Sequence, residues 1–304
     1  MDKARAYVAA AKAPNTLRAY RSDWRHFMAW CDARGLLTLP AVPETVALYI
    51  ADMGGVAKPS TITRRLAAIA KAHQAAGHES PCAMRHAAVK EVLAGIKRTH
   101  GTAQAGKAAL LTEHLRRLLE VIPDSLIGKR DIAMLLLGFA GAFRRSELVS
   151  LDLRDVEFTE DGMKVTLRWS KTDQEGQGRV VGVPYGSNPQ LCPIRSLQRW
   201  LTDSGIAEGP LFRGVNRHGH VARVALTAQT VRNVVQRYCP PAGLDASQFS
   251  GHSLRSGFVT QASINNASER SIMNQTGHKS PAMVRRYTRD LNLFRDNAAT
   301  RLGL

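Results

Sequence analysis

The sequence predicts a mainly helical protein of two domains, with one small antiparallel sheet in the second domain. Apolar residues recur at three- and four-residue steps through most of the chain, which is the spacing of one helical face. A short central stretch alternates with a period of two instead, as half-buried strands do. The chain has 304 residues with a 44% hydrophobic fraction, enough for two compact cores.

Amphipathic helices account for the first domain, residues 1–98. The first helix spans residues 15–33, where aromatic and aliphatic residues share one face. Pro43 can open a second helix that runs through Met53, and Ser60 can cap a third that runs to Gly77. A fourth helix covers approximately residues 84–98. These elements predict a small all-helical domain.

Residues 99–107, THGTAQAGK, are polar and small and lack apolar periodicity, so we expect an interdomain linker there. The second domain, residues 108–304, begins with helices, including one capped by Thr112 and a buried run at 132–140. The alternation then predicts three short antiparallel strands around 156–158, 163–169 and 180–183, the last two joined by the loop TDQEGQG.

Helices resume at Pro193 and continue toward the end of the chain. In the last of them, at about 290–304, four apolar residues fall on one helical face: Leu291, Phe294, Ala298 and Leu302. Such a stripe must be buried, either against another subunit or against its own domain.

The charge points to a polyanionic partner. The formal net charge is +17, and both halves of the chain are basic. Because neutralising phosphates releases counterions, nucleic acid is the first candidate, although a basic surface can also serve only solubility. No apolar run reaches the ~18 residues of a membrane span, and charges interrupt the Ala-rich start, so we expect a soluble protein that is not exported. The scattered cysteines suggest neither a zinc site nor a disulfide framework.

Two basic patterns in the first half of the second domain could serve phosphate chemistry. In GAFRRSELVSL, Arg144 and Glu147 begin a helix, and an arginine there can hold a phosphate through two hydrogen bonds. A plain surface role is equally open. Lys171 lies in WSKTDQEG at the tip of the predicted hairpin, where a lysine more often only protects an edge strand.

Three further patterns follow in order. GHSLRSG places His252 and Arg255 three residues apart, on one helix face. TGHKS places His278 in a loop, and VRRYTRD places Tyr287 on a short basic helix. A tyrosine at such a position is usually a packing residue. A phenol with a pKa of about 10 attacks phosphorus only where acceptors and cations favour the phenolate as it forms.

Taken in order, Arg, Lys, His-x-x-Arg, His and Tyr resemble the catalytic signature of the tyrosine recombinases, or phage-type integrases, and are similar to the Cre- and Xer-like members. The segment TLRAYRSDWRHFMAWC resembles the first helix of that family's DNA-clamping domain, which has a SAM-like fold. Residues from about 108 onward resemble its catalytic domain. One departure is Phe143, where the family often has leucine before the first arginine.

The resemblance implies that Tyr287 attacks a backbone phosphorus, giving a 3′-phosphotyrosyl link and a free 5′-hydroxyl. Arg144 and Arg255 would hold the non-bridging oxygens, and Lys171, chosen over Lys164 for its hairpin position, would protonate the departing 5′-oxygen.

The resemblance also implies roles for the remaining site residues. His252 would accept or share the tyrosine proton, and His278 would hydrogen-bond the phosphate. Glu147 would orient His252 or its neighbours. Since the 5′-hydroxyl of a partner strand reverses the reaction, neither ATP, a metal nor another cofactor is expected.

The partners implied are double-stranded DNA, with an inverted-repeat site, and three further copies of the chain in a tetramer linked by the C-terminal helix. The resemblance also implies a cytoplasmic, nucleoid-associated protein of a bacterium, a phage or another mobile element. Arg64, Arg65 and Lys71 on the third helix are candidate DNA contacts, although an ordinary solvated helix face explains each equally well.

Three alternatives stay open. A type IB topoisomerase-like enzyme would use the same tyrosine chemistry without strand exchange, and a DNA-binding regulator would keep the fold without catalysis. A metal-dependent nuclease would need a carboxylate cluster, and residues 152–161 contain four acids without a companion cluster. The histidines at 218 and 220 lack further ligands. No metal is therefore assigned.

Overall fold

A computed structural model describes residues 13–83, 85–103, 106–168 and 178–288, together with the single positions 299 and 302. The contacts divide the chain into two units, one ending at residue 105 and the other beginning at residue 106. In the regions described, no helix is long and apolar enough to cross a membrane.

The described part of the first unit is helical. Its helices are α1 (Pro14–Asp32), α2 (Pro43–Asp52), α3 (Pro59–Ala75) and α4 (Ala87–His100). The first three begin at a proline, whose fixed φ and missing N–H suit the first helical position. For this reason α3 begins at Pro59 with Lys58 as its cap, and not with Ser60 as predicted.

Helix α4 differs from its prediction at both ends. It begins at Ala87 and continues through His100, two residues into the predicted linker. Basic residues in its last turn interact favourably with the negative end of the helix dipole. Gly101, at φ 68°, ends the helix.

The core of the first unit forms where α1 packs on α3 and α2 packs on α4. Phe27, Tyr49 and Ile62 are fully buried there. His73 is also fully buried; its Nδ1 donates to the carbonyl of Ile69 at 2.9 Å while its Nε2 accepts the N–H of Ala41 at 2.8 Å. Burial lowers the pKa of His73, so this histidine is a neutral part of the core.

The second unit is mainly helical and contains two small sheets. Its described helices are α5 (Thr112–Glu120), α6 (Leu126–Ala140), α7 (Arg145–Ser150), α8 (Pro193–Ser204), α9 (Ala228–Tyr238), α10 (Ser253–Ile264), α11 (Glu269–Thr276) and α12 (Pro281–Thr288). Its described strands are β1 (Val156–Phe158), β2 (Gly162–Leu167), β3 (Arg179–Pro184), β4 (Arg213–Val215) and β5 (Val221–Ala225).

Helix α6 forms the centre of the second unit, with α8, α10 and α9 packed around it. Its residues are apolar on nearly every face, as expected for a helix surrounded by protein. Ser125 caps it by accepting the N–H of Gly128 at 3.1 Å. Thr112, predicted as a cap, is instead the first residue of α5.

Strands β1, β2 and β3 form an antiparallel sheet in that order. Val165 on β2 pairs with Val156 on one side and Val181 on the other. The predicted fold class, mainly helical with a small antiparallel sheet, is thereby confirmed.

The antiparallel hairpin of β4 and β5 is not predicted from the sequence. Its strands are short and mostly half-exposed, so they lack a clear alternation of buried and exposed residues. His218 and His220 lie in its turn, where their backbone N–H groups donate to the side chain of Asn216. The described residues contain no group of three or more side chains suited to hold a metal.

Candidate active site

Four segments of the second unit converge on one site: the turn between α6 and α7, the start of β3, the start of α10, and the segment from α11 into α12. They bring together most of the side chains that the sequence singled out, namely Arg144, Glu147, His252, Arg255, His278 and Tyr287. Lys171 and most of the predicted terminal helix lie outside the described residues.

Arg144 is positioned by a tight turn. Ala142 takes a left-handed conformation at φ 49°, and Phe143 then enters the core. Arg144 caps α7, where the carboxylate of Glu147 accepts its backbone N–H at 2.9 Å and its guanidinium at 2.5 Å. Glu147 is only 2% exposed, so this charge-assisted pair fixes the arginine within the protein.

Arg255 joins the α6–α7 turn to the end of α11. Its Nη1 donates to the carbonyl of Ala142 and its Nη2 to the carbonyl of Thr276, both at 2.6 Å. The side chain is 1% exposed. Burial, and then the charge of Arg144, lower the pKa of Arg255 to about 10, so it stays protonated at neutral pH. The result is a fixed buried cation.

His278 is buried beside these arginines. Its Nδ1 lies 3.0 Å from the hydroxyl oxygen of Thr276, whose own proton goes to the carbonyl of Ile272 at 2.7 Å. Nδ1 therefore donates to Thr276, and Nε2 of the neutral ring is an acceptor. Burial, followed by the charges of Arg255 and Arg144, lowers the pKa of His278 to about 4. The ring is neutral at neutral pH.

Tyr287 lies half-buried on α12, against the small apolar cluster of Val259, Ile272 and Val284. Its hydroxyl is 3.0 Å from Nε2 of His252, an exposed residue at the start of α10. Its ring is nearly parallel to that of His278, with an interplanar angle of 17° and centroids 5.9 Å apart. The phenol therefore lies within hydrogen-bond distance of a histidine nitrogen and within the electrostatic influence of Arg255.

Arg179, which carries no motif in the sequence, also belongs to this cluster. Its Nη1 donates to the carbonyl of Gln275 at 3.0 Å, and its Nη2 lies 3.8 Å from Oε2 of Glu147. A signal was present in the sequence, because Arg179 is in phase with Val181 and Val183, the buried residues of β3.

The contacts of Glu147 are with arginines of the site. The resemblance implied that Glu147 orients His252 or its neighbours. In the structure its carboxylate holds Arg144 and approaches Arg179. The cause is local, since an acid at the third position of a helix reaches back to the residue that caps it.

The candidate DNA contacts of the first unit differ in their surroundings. Arg64 donates to both oxygens of the buried carboxylate of Asp23, at 2.7 and 3.0 Å. The guanidinium of Arg65 contacts the hydroxyl of Tyr49 at 3.3 Å and lies 3.7 Å from Asp23. Lys71 is exposed and donates to Gln74 at 2.7 Å.

The acidic residues considered for a nuclease have other partners. Asp152 caps the short 3-10 helix Leu153–Asp155. Asp155 pairs with Arg168 at 2.6 Å, and Glu157 pairs with Lys164 at 3.2 Å. These carboxylates therefore serve capping and ion pairs in the sheet.

Comparison with known proteins gives a consistent picture. Residues 109–292 match the model of the phage integrase family. An integrase/recombinase xerD homolog of Selenomonas ruminantium is 41% identical over 304 residues, covering 99% of this chain and 89% of the relative. Tyrosine recombinase XerA of Pyrococcus furiosus is 30% identical over 181 residues, which cover 60% of this chain and 57% of that protein.

Solved structures share the fold. The Tn1549 transposon integrase in complex with transposon right end DNA aligns with a TM-score of 0.65 at 14% identity, covering 91% of this chain and 89% of that one. The XerH site-specific recombinase bound to palindromic difH substrate aligns with a TM-score of 0.62 at 18% identity, covering 85% and 72%.

Proposed function

Because the chain belongs to the phage integrase family and is a tyrosine recombinase, we propose that it cleaves and rejoins DNA through a covalent bond to Tyr287. One observation carries the proposal: the hydroxyl of Tyr287 lies 3.0 Å from Nε2 of His252, in the electrostatic field of Arg255. This arrangement supplies what a phenol needs to act as a nucleophile: a group that can take its proton, and a nearby cation that favours the phenolate as it forms.

In the proposed cleavage step, the phenolic oxygen of Tyr287 forms a bond to the backbone phosphorus while the bond to the 5′-oxygen breaks. His252 takes the phenolic proton, and Lys171 gives a proton to the departing 5′-oxygen. The product holds a 3′-phosphotyrosyl ester. Since one phosphate ester replaces another, attack by the 5′-hydroxyl of a partner strand reverses the step and rejoins DNA without ATP.

Two arginines would stabilise the transition state. Arg144 and Arg255 bind the non-bridging oxygens, where negative charge accumulates as phosphorus becomes five-coordinate. The hydrogen bonds of Arg255 to two main-chain carbonyls support this role, because a cation already in place needs little reorganisation during the reaction. The carboxylate of Glu147 likewise holds the guanidinium of Arg144 in place before the reaction.

His278 would act on the same phosphate. In the free protein its neutral ring offers Nε2 only as an acceptor. A phosphate monoanion bound beside it would raise its pKa, because a nearby negative charge favours the imidazolium. The protonated ring then donates to a phosphate oxygen.

The proposed substrate is double-stranded DNA that carries an inverted repeat, bound by four copies of the chain. The net charge of +17 supports a phosphate backbone as partner. The XerH recombinase among the similar structures is bound to a palindromic substrate, which supports an inverted repeat as the site and a symmetric assembly of subunits on it.

A covalent trapping experiment tests the function. Wild-type protein and the Tyr287→Phe variant are incubated with a library of genomic DNA fragments in EDTA, and the DNA that stays attached after SDS denaturation is sequenced. We expect adducts from the wild type alone, enriched in a short inverted repeat. Binding without adducts from either protein would favour a non-catalytic regulator.

A further inference from the structure

We propose that Arg179 is a positioning residue for the cleavage site. It fixes the turn that carries His278 relative to the carboxylate of Glu147, which in turn binds Arg144. The inference rests on the proposed function. Arg179 is the first residue of β3, on the strand face that points into the protein. From there its guanidinium lies between two segments that are remote in the chain.

On one side, Arg179 holds the end of α11. Its Nη1 donates to the carbonyl of Gln275 at 3.0 Å. The side chain of Gln275 in turn donates to the carbonyls of Ala140 and Gly182, at 2.9 and 3.0 Å. The end of α11 is therefore tied both to β3 and to the end of α6.

Gly277 lets the turn approach the guanidinium closely. It adopts φ 68°, and a Cβ at this position would lie 2.9 Å from Nε of Arg179. His278 is the next residue, so the packing of Gly277 on Arg179 fixes the backbone position from which the histidine side chain extends. Arg255 binds the same turn through the carbonyl of Thr276.

On its other side, Arg179 faces Glu147. Nη2 lies 3.8 Å from Oε2 of this carboxylate, whose Oε1 receives the guanidinium of Arg144 at 2.5 Å. Glu147 is thus flanked by two arginines. A shift of Arg179 would change the electrostatic field around Glu147 and, through it, the position of Arg144.

The energetics argue that Arg179 does more than fill space. Its Nε and Nη2 are enclosed and have no hydrogen-bond partner among the described residues. Burial lowers its pKa, which reflects the cost of removing the cation from water. An apolar side chain in phase with Val181 and Val183 would fill the same space without that cost.

The test compares Arg179→Met, which removes the charge and the hydrogen bonds, with Arg179→Lys, which keeps the charge. Arg213→Met is the matched control, because Arg213 is also a half-buried strand arginine that donates to main-chain carbonyls, those of Glu208 and Pro210. Folding of each full-length variant is checked by thermal unfolding.

Two readouts are measured on each protein. The first is the rate of covalent adduct formation on a nicked duplex built from a site recovered in the trapping experiment, with DNA affinity measured in parallel. The second is the titration of His278 by NMR in protein labelled with [13C]histidine, assigned with His278→Gln. The charged or titratable groups that act on His278 are Arg255, Arg144, His252 and Arg179.

For Arg179→Met we expect cleavage slower by up to about 100-fold with DNA affinity within about threefold, since misplacement of reacting groups costs rate more than binding. The pKa of His278 should rise, because one of the nearby cations is removed. Arg179→Lys should leave the pKa of His278 close to its wild-type value and recover part of the cleavage rate. Arg213→Met should match the wild type in the pKa of His278 and in the cleavage rate.

A wild-type rate and an unchanged His278 titration in folded Arg179→Met would overturn the inference. Failure of the wild type to form any adduct would instead count against the proposed function. In that case the NMR titration of His278 still tests whether Arg179 acts on this histidine, because the titration needs no cleavage.

Discussion

The hydroxyl of Tyr287 and Nε2 of His252 lie 3.0 Å apart, although the two residues are 35 positions apart in the chain. The pairing depends on the packing of α12 against α10. It places a histidine nitrogen at the phenolic oxygen before any substrate is bound, and its consequences can be measured.

Replacing Tyr287 by phenylalanine should abolish the covalent adduct and leave DNA affinity within about threefold, because only the hydroxyl is lost and most affinity for DNA comes from phosphate contacts. SDS-resistant adducts and gel-shift affinity are measured together. Tyr185→Phe, at an exposed tyrosine, is the control and should cleave normally. An adduct that survives Tyr287→Phe would mean that another residue is the nucleophile.

Replacing Thr276 by valine should slow cleavage roughly fivefold, since one net hydrogen bond of about 1 kcal/mol holds the ring of His278. Thr276→Ser keeps the hydroxyl and should cleave near the wild-type rate. Single-turnover adduct formation measures both. Equal rates for the serine and valine variants would show that the hydroxyl does not orient His278.

Stability of the second unit should fall as the pH drops from about 6.5 toward 4. The folded pKa of His278, about 4, lies below the value of about 6.5 for an unfolded histidine, so the unfolded chain binds the proton first. The loss from this residue is about 2 kcal/mol at pH 5. Urea denaturation of the full chain at pH 7 and pH 5 measures it.

His278→Gln is the control for that measurement. It should narrow the gap in unfolding free energy between the two pH values, while His73, whose pKa is also lowered by burial, keeps its own contribution in the first unit. An undiminished gap would assign the pH dependence to other groups.

Ala142→Gly should be at least about 1 kcal/mol less destabilising than Ala133→Gly. Both alanines are fully buried, but Ala142 has φ 49° and Ala133 lies inside helix α6. Glycine relieves a left-handed strain of about 1–2 kcal/mol at the first position and costs about 1 kcal/mol of helix propensity at the second. Urea denaturation compares them, and equal losses would show that Ala142 is unstrained.

Lys71→Ala should lower the slope of log affinity against log salt by about one without loss of stability, if Lys71 contacts a phosphate. Arg64→Ala should instead lower stability by about 1–3 kcal/mol, because it removes the bidentate partner of the buried carboxylate of Asp23. Salt titrations of DNA binding and thermal unfolding separate the two effects. A salt-independent affinity would contradict phosphate contact altogether.

Local patterns determined much of this protein from the sequence. The three- and four-residue spacing located helices such as α1, and the alternation around Val165 located the three-stranded sheet, because both reflect the geometry of a single backbone segment. The order of Arg144, His252, Arg255, His278 and Tyr287 indicated the family, since it needs only residue types and spacing.

Only the tertiary structure decided which atoms meet. It paired Tyr287 with His252, turned Glu147 toward Arg144, and brought the unpredicted Arg179 beneath Gly277. It also made His278 neutral, because a pKa depends on burial and on charges that arrive from other segments. Residue spacing describes neighbours along one element, whereas contacts across 35 or more positions exist only once the elements have packed.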